Sequence, residues 1–308
     1  MTRILVTSTS FLDTPGPHQD TLRASGYEIV TGRGPLPAEA LAALLRGCDG
    51  VICGDDDFTR TVIQAAAQDG LRAIAKYGTG TDKIDLDAAR ACGVIVTNCA
   101  GVNHASVAEH VYALLLSYAR NIIEADRSVR AHQWRRPTGF ELRGKVIGVV
   151  GTGAVGRAVI TRATAFDMRV LGFDRHPTSE LHAVPGFQYV DQLTTLMAAC
   201  DVVSLHLPLS ESTKALIDDE MIAHTKRGVI LINTARGGLV DEDAIIRGLQ
   251  QGQLGAYLAD VLSTEPIQPN HPFTTQPHAL ITPHIASRTR ENVVAQGMMA
   301  VENLMRSL

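Results

Sequence analysis

The chain has 308 residues, 45% hydrophobic and 19% charged, with a formal net charge of -4. This length accommodates two ordinary domains with a sizeable core, and the balance excludes a disordered chain. The small net charge and the lack of a lysine/arginine block leave no field to draw the protein to nucleic acid or an anionic membrane.

The N-terminus, MTRILVTS, runs straight into an apolar strand and lacks the pattern of a signal peptide. Strands are expected at residues 4–7, 51–53, 73–75 and 94–97, with helices between them such as 38–45 and 60–69. Such alternation predicts a parallel sheet with helices on both faces. A helix over 105–120 follows, with Val107, Val111, Leu114 and Leu115 at helical spacing. Residues 121–143 read as a polar, basic segment holding the single tryptophan, Trp134. A second series begins at Lys145, with strands at 146–150, 169–173, 202–207, 229–232, 256–259 and 279–282 and a helical segment over 287–308. The fold class is α/β, in two units of unequal size. No run approaches the ~18 apolar residues of a membrane span. The cysteines, Cys48, Cys53, Cys92, Cys99 and Cys200, form no CxxC pair and no zinc spacing. We expect no metal, reduced buried thiols and a soluble cytoplasmic protein.

The second series opens with KVIGVVGTGAVGRAV. A strand runs into Gly151-Thr152-Gly153-Ala154-Val155-Gly156 and then a helix. In a dinucleotide-binding turn the first glycine permits the turn, the second lets a pyrophosphate approach, and the third lets helix and strand pack closely. The helix N-terminus supplies N–H groups and positive dipole. Asp174 closes the next strand, 21 residues after Gly153, where a carboxylate can bind a ribose diol. That acid points to NAD; Arg175 beside it leaves room for NADP.

Other strand ends carry chemistry. His206-Leu207-Pro208, Asn233-Thr234-Ala235-Arg236, the segment from Asp260 to Glu265, and Thr282-Pro283-His284 all lie where an open α/β sheet binds ligands. Arg236, Glu265 and His284 offer a guanidinium, a carboxylate and an imidazole. A dehydrogenase of 2-hydroxy acids needs these three: a bidentate clamp for the substrate carboxylate, an exchanger of the hydroxyl proton, and an acid that orients the imidazole.

These segments make the sequence resemble the D-isomer-specific 2-hydroxyacid dehydrogenase family, most of all the catalytic core of its D-3-phosphoglycerate dehydrogenases. The motifs are KYGTGTDKIDLDAA, SVAEHVYALLLSYARN, ELRGKVIGVVGTGAVGR, HLPLSEST, INTARGGLVDEDAI, DVLSTEP and TPHIAS, in the family's order over nearly the whole chain. The resemblance implies that Arg236, Glu265 and His284 are catalytic. It implies cofactor contacts at Gly151, Gly153, Ala154, Val155, Gly156, Asp174, Arg175, His206, Pro208, Thr213, Thr234, Asp260 and Ser287. It also implies that Lys76, Tyr77, Gly78, Thr79 and Gly80 face the substrate, together with Arg236 and His284. The implied architecture is two doubly wound parallel-sheet domains: a flavodoxin-like substrate domain (1–99 and 287–308) into which a Rossmann NAD-binding domain (100–286) is inserted, with closure about the two crossings. The implied assembly is a homodimer with residues 121–143 in the interface.

The chain departs from the family in the turn Asn98-Cys99-Ala100-Gly101, where a proline is common, and at Asp167, where glycine is common. Phosphoglycerate-specific members often carry arginine at the position of Lys76. No regulatory domain follows the final helix, so feedback through one is not expected. Candidate substrates are 3-phosphoglycerate or a smaller acid of the glyoxylate/hydroxypyruvate type. A nucleotide-sensing, non-catalytic homologue is the reading from another class.

Overall fold

The computed structural model describes residues 1–308. It divides into two compact units, residues 1–103 with 287–308, and residues 104–286. In the first unit the strands are β1 (Arg3–Val6), β2 (Glu28–Thr31), β3 (Gly50–Cys53), β4 (Ala73–Lys76) and β5 (Ile95–Thr97). They form a parallel sheet in the order β2-β1-β3-β4-β5. Every residue of β3 and β4 is buried, as expected of a central parallel strand covered on both faces. One face is covered by helices Ala38–Leu45 and Arg60–Gln68, through Leu41, Leu45, Val62 and Ile63. On the other face Leu22, Ala300, Val301 and Leu304 pack with Ile4, Val6 and Ile52; they come from helices Pro17–Ala24 and Arg290–Ser307.

The second unit holds β6 (Val146–Val150), β7 (Arg169–Phe173), β8 (Phe187–Tyr189), β9 (Val202–Leu205), β10 (Val229–Asn233), β11 (Leu254–Ala259) and β12 (Ala279–Ile281). Their order is β12-β11-β10-β9-β6-β7-β8, all parallel. The chain runs outward from β6 to β8 and then restarts at β9 on the other side of β6. That reversal opens a crevice at the carboxyl ends of β6 and β9, the place where doubly wound sheets bind ligands. Helix His104–Ala119 packs Val111 and Leu115 against Ile147, Val149 and Ile232. The opposite face buries Leu196, Val203, Leu231 and Tyr257.

The structure differs from the sequence expectations in four places. Strands β2 and β8 are additional; both are sheet edges, half-exposed, and so lack the apolar run that marks a buried strand. The polar segment after residue 120 contains a helix, Ile122–Arg130. Residues 100–103, assigned above to the cofactor-binding domain, group with the first unit, where Val102 packs against its core. The final helix starts at Arg290 because Thr289 Oγ accepts the Asn292 amide and caps it there. No helix is long and apolar enough to cross a membrane.

Candidate active site

The cofactor turn is built by close approach. Gly151 has φ +94°, a conformation that side chains disfavour, and a Cβ there would lie 2.6 Å from the His206 carbonyl oxygen. This contact spans the β6/β9 crevice. A Cβ on Gly156 would lie 2.1 Å from the Gly151 carbonyl oxygen, so helix Ala154–Ala165 can sit on the turn only without a side chain. At Gly153, the N-cap of that helix, a Cβ would meet nothing within 4 Å. The turn is tight on the protein side and open at the helix N-terminus, the side a pyrophosphate would approach.

Asp174 follows β7 and is held in place by the turn. Its Oδ2 accepts the Thr152 amide (2.6 Å) and hydroxyl (3.0 Å), and its Oδ1 accepts the His176 amide (2.9 Å). Burial alone would raise this carboxyl; the hydrogen bonds from His176 and Thr152 outweigh it and hold the group below its usual value. Tyr189 on β8 adds its hydroxyl to Thr152 Oγ at 3.0 Å. Thr152 and Tyr189 are functional candidates that the sequence reading missed: Thr152 occupies a variable position of the glycine motif, Tyr189 lies outside any motif, and both act through Asp174. Arg175 donates to Ser212 Oγ (3.1 Å).

At the end of β9, His206 donates its amide to Val150 across the crevice (2.7 Å), and its Nε2 lies 2.9 Å from Ser204 Oγ. Burial pushes its imidazole down to about 3, so it is neutral. Thr213 spends its hydroxyl inside its own loop, donating to Pro208 O and accepting the Ser210 amide, both at 2.8 Å. It shapes the loop that carries Pro208.

The chemical residues follow β10, β11 and β12, which are neighbours in the sheet. After β10, Asn233 Oδ1 accepts the Ala235 amide (3.1 Å) and Nδ2 donates to Arg236 O (2.9 Å), closing the turn that projects Thr234 to Arg236. Arg236 Nη1 donates to Ala235 O at 2.8 Å. Thr234 is buried and its hydroxyl has no partner. After β11, Glu265 Oε1 accepts the Leu262 amide (2.9 Å), leaving Oε2 at 2.8 Å from His284 Nδ1. With Nδ1 given to Glu265, proton exchange falls to the second imidazole nitrogen, Nε2. His284 has φ +54°, unusual for a residue with a side chain. Asp260 supports that turn: it accepts the Ile285 and Ala286 amides at 2.9 and 2.7 Å, and its own carbonyl accepts the His284 amide at 2.8 Å. Asp260 is 1% exposed. Both its oxygens are engaged within the protein, so it supports the His284 turn as well as bordering the crevice.

The other predicted residues belong to the first unit. Lys76 ends β4, is buried, and places its Nζ 2.8 Å from Asp55 Oδ1. Tyr77 is also buried, its hydroxyl directed to Val293 O at 3.4 Å. Both side chains are held inside the first unit, Lys76 by Asp55 and Tyr77 within the apolar cluster around β4. Gly78, with φ +129°, Thr79 and Gly80 form the partly exposed turn that follows. Ser287 accepts Asn292 Nδ2 with its carbonyl, ahead of helix Arg290–Ser307. No group of three His, Cys, Asp or Glu side chains could hold a metal ion.

Comparisons with known proteins bear on the family and the fold. Residues 112–286 match the family described as "D-isomer specific 2-hydroxyacid dehydrogenase, NAD binding domain". A D-3-phosphoglycerate dehydrogenase of Archaeoglobus fulgidus is 38% identical over 287 residues, 92% of this chain and 54% of that protein. A glyoxylate reductase of Thermofilum pendens is 37% identical over 281 residues, 89% of this chain and 82% of that protein. A crystal structure of a Thermus thermophilus protein superposes with TM-score 0.88 at 39% identity, covering 98% of this chain and 96% of that one. The chain belongs to the D-isomer-specific 2-hydroxyacid dehydrogenase family, and its second unit carries the family's NAD(P)-binding domain. It spans about half the length of the phosphoglycerate dehydrogenase relatives that it matches.

Proposed function

We propose that the protein interconverts a D-2-hydroxy acid and its 2-oxo acid with NAD. The observation that carries this reading is the Glu265–His284 pair at 2.8 Å, on the same sheet edge as Arg236 and the glycine turn. The residues fit a dinucleotide: the helix N-terminus at Gly153 is open, and Thr234 offers a buried hydroxyl without a partner. The chemistry that NADH would supply when held there is a hydride for the substrate carbonyl carbon. Arg236 binds the substrate carboxylate through two parallel hydrogen bonds and fixes the carbonyl beside it. His284 delivers a proton from Nε2 to the carbonyl oxygen, and takes it back in the reverse direction. Glu265 holds Nδ1–H, which selects the tautomer and balances the imidazolium. Anionic Asp174 disfavours a 2'-phosphate, which supports NAD over NADP.

For the substrate's tail, the state of Lys76 is informative. Its ammonium is already matched by Asp55, within the run Asp55-Asp56-Asp57. This favours an unphosphorylated acid of the glyoxylate or hydroxypyruvate type over a phosphorylated one. Phosphoglycerate chemistry is the second reading, supported by the relatives of that name. The test follows NADH absorbance with a panel of glyoxylate, hydroxypyruvate, pyruvate and 3-phosphohydroxypyruvate, with NADPH in parallel. In the His284→Ala variant, turnover is expected to drop by at least about 100-fold while NADH still binds. Unchanged turnover in that variant overturns the reading.

Two further readings accompany this one. Helix Ile122–Arg130 and the segment after it expose Ile122, Ile123, Val129 and Trp134, the last at 82%. Such an apolar group supports a homodimer through this segment, to be checked by light scattering of wild type and Trp134→Glu. All five cysteines are unpaired, which supports a reducing, cytoplasmic setting.

A further inference from the structure

His110 lies on helix His104–Ala119, within the SVAEHVYALLLSYARN motif but outside the catalytic set and without a role assigned above. Its Nε2 is 2.9 Å from Thr282 Oγ and 3.4 Å from Asp260 Oδ1. Thr282 Oγ is in turn 2.5 Å from Asp260 Oδ1. The direction of these bonds follows from proton counting. Burial opposes the Asp260 charge, but hydrogen bonds from His110, Thr282 and the Ile285 and Ala286 amides hold its carboxyl below the usual value, so it accepts only. Thr282 has one hydroxyl proton and directs it to Asp260. Its oxygen then accepts, so His110 carries a proton on Nε2. The result is a one-way chain that ends on Asp260, running from His110 through Thr282, with His110 Nε2 also 3.4 Å from Asp260 Oδ1.

The chain ends on the residue that shapes the His284 turn. Asp260 accepts the amides of residues 285 and 286 through its side chain and of residue 284 through its carbonyl. A left-handed histidine persists only where its surroundings over-determine it. Beside the two backbone amides, Asp260 Oδ1 accepts the Thr282 hydroxyl, and Thr282 Oγ meets His110 Nε2 at 2.9 Å and the Ala259 carbonyl at 3.4 Å. We infer that His110 is a positioning residue: through Thr282 and Asp260 it holds the turn that aims His284 at Glu265. The turnover readout of this inference rests on the dehydrogenase reading; its geometry does not.

The test uses the full chain and the 2-oxo acid that wild type turns over best. His110→Leu removes the donor and is expected to lower kcat about 10- to 100-fold, the cost of a small misplacement of a catalytic group. KM and NADH binding change by less than about threefold, because Arg236 and the cofactor turn are untouched. His110→Gln, which restores an N–H near the same reach, recovers most of the loss. Thr282→Val produces the same deficit as His110→Leu, and the double variant is no worse than either, since all three break one chain. Independently of turnover, the His284 ring signal in carbon–proton spectra, assigned by its loss in His284→Ala, shifts in His110→Leu and returns in His110→Gln. A His110→Leu kcat within twofold of wild type, multiplicative losses in the double variant, or an unmoved His284 signal overturns the inference. If wild type reduces none of the panel, the dehydrogenase reading falls, and the His284 spectra still decide the role of His110.

Discussion

The two units solve the same topological problem in opposite ways. Each is a doubly wound sheet with a crevice where the strand order reverses, between β1 and β3 in the first and between β6 and β9 in the second. In the first unit the protein fills its own crevice. Asp56 is fully buried, and it accepts Thr7 Oγ (2.5 Å), the Leu36 amide (2.8 Å) and the Gly54 amide (3.1 Å). An internal carboxylate there occupies the donors that an anionic ligand would otherwise use. In the second unit the equivalent place holds glycines, an open helix N-terminus and an orphan hydroxyl at Thr234. Binding capacity is thus set by what lines the crevice, while the fold supplies only its position.

The contrast can be broken by substitution. The largest effect is expected from Gly156→Ala, whose Cβ meets backbone at 2.1 Å: NADH affinity falls by more than about 100-fold in a fluorescence titration, as helix and turn separate. Next comes Asp56→Ala, which strands three donors and lowers unfolding free energy by about 2 to 4 kcal/mol in urea titration. NADH affinity, measured on the folded fraction, stays at the wild-type value. Equal damage to NADH binding from both variants removes the distinction drawn between the crevices.

Acidification sharpens it further. His206 has its imidazole pushed from 6.5 down to about 3, so between those values the unfolded chain takes up a proton that the folded one refuses. Its stabilising contribution is complete above 6.5 and is lost as pH falls towards 3. Asp56 runs the other way: burial raises it above 3.8, against its hydrogen bonds, so its contribution is present at low pH and lost as pH rises through its folded value. His206→Gln should therefore flatten the fall of Tm between pH 7 and 5, whereas Asp56→Asn leaves the slope in that window steep. The smallest effect belongs to Gly153→Ala, whose Cβ meets no protein atom. Its Tm is expected within about 2 °C of wild type, with NADH binding weakened by the side chain at the pyrophosphate approach.

Much of this was legible from residue order. The central strands are short apolar runs, and β6, for example, spans Val146–Val150 as its sequence predicts. The strand-end positions of Arg236, Glu265 and His284 follow from the same runs. The edge strands β2 and β8 were not legible, because half-exposed strands carry no continuous apolar signal. Nor was the burial of Lys76 and Tyr77, whose polar ends meet Asp55 and Val293, 21 and 216 residues away. Thr152 and His110 escaped for a related reason. Each acts by orienting another side chain, and orientation across distant segments leaves no spacing in the sequence.

The division of the first unit has a consequence for synthesis. Helix Arg290–Ser307 places Ala300, Val301 and Leu304 on the sheet face formed by Ile4, Val6 and Ile52. Residues 104–286 form a continuous stretch and can build their own core from it without the residues that follow. The N-terminal sheet, though translated first, must leave one apolar face covered only in part, by helix Pro17–Ala24, until helix Arg290–Ser307 arrives. The order of completion is therefore the reverse of the order of birth, and the waiting sheet is the segment on which a chaperone would act.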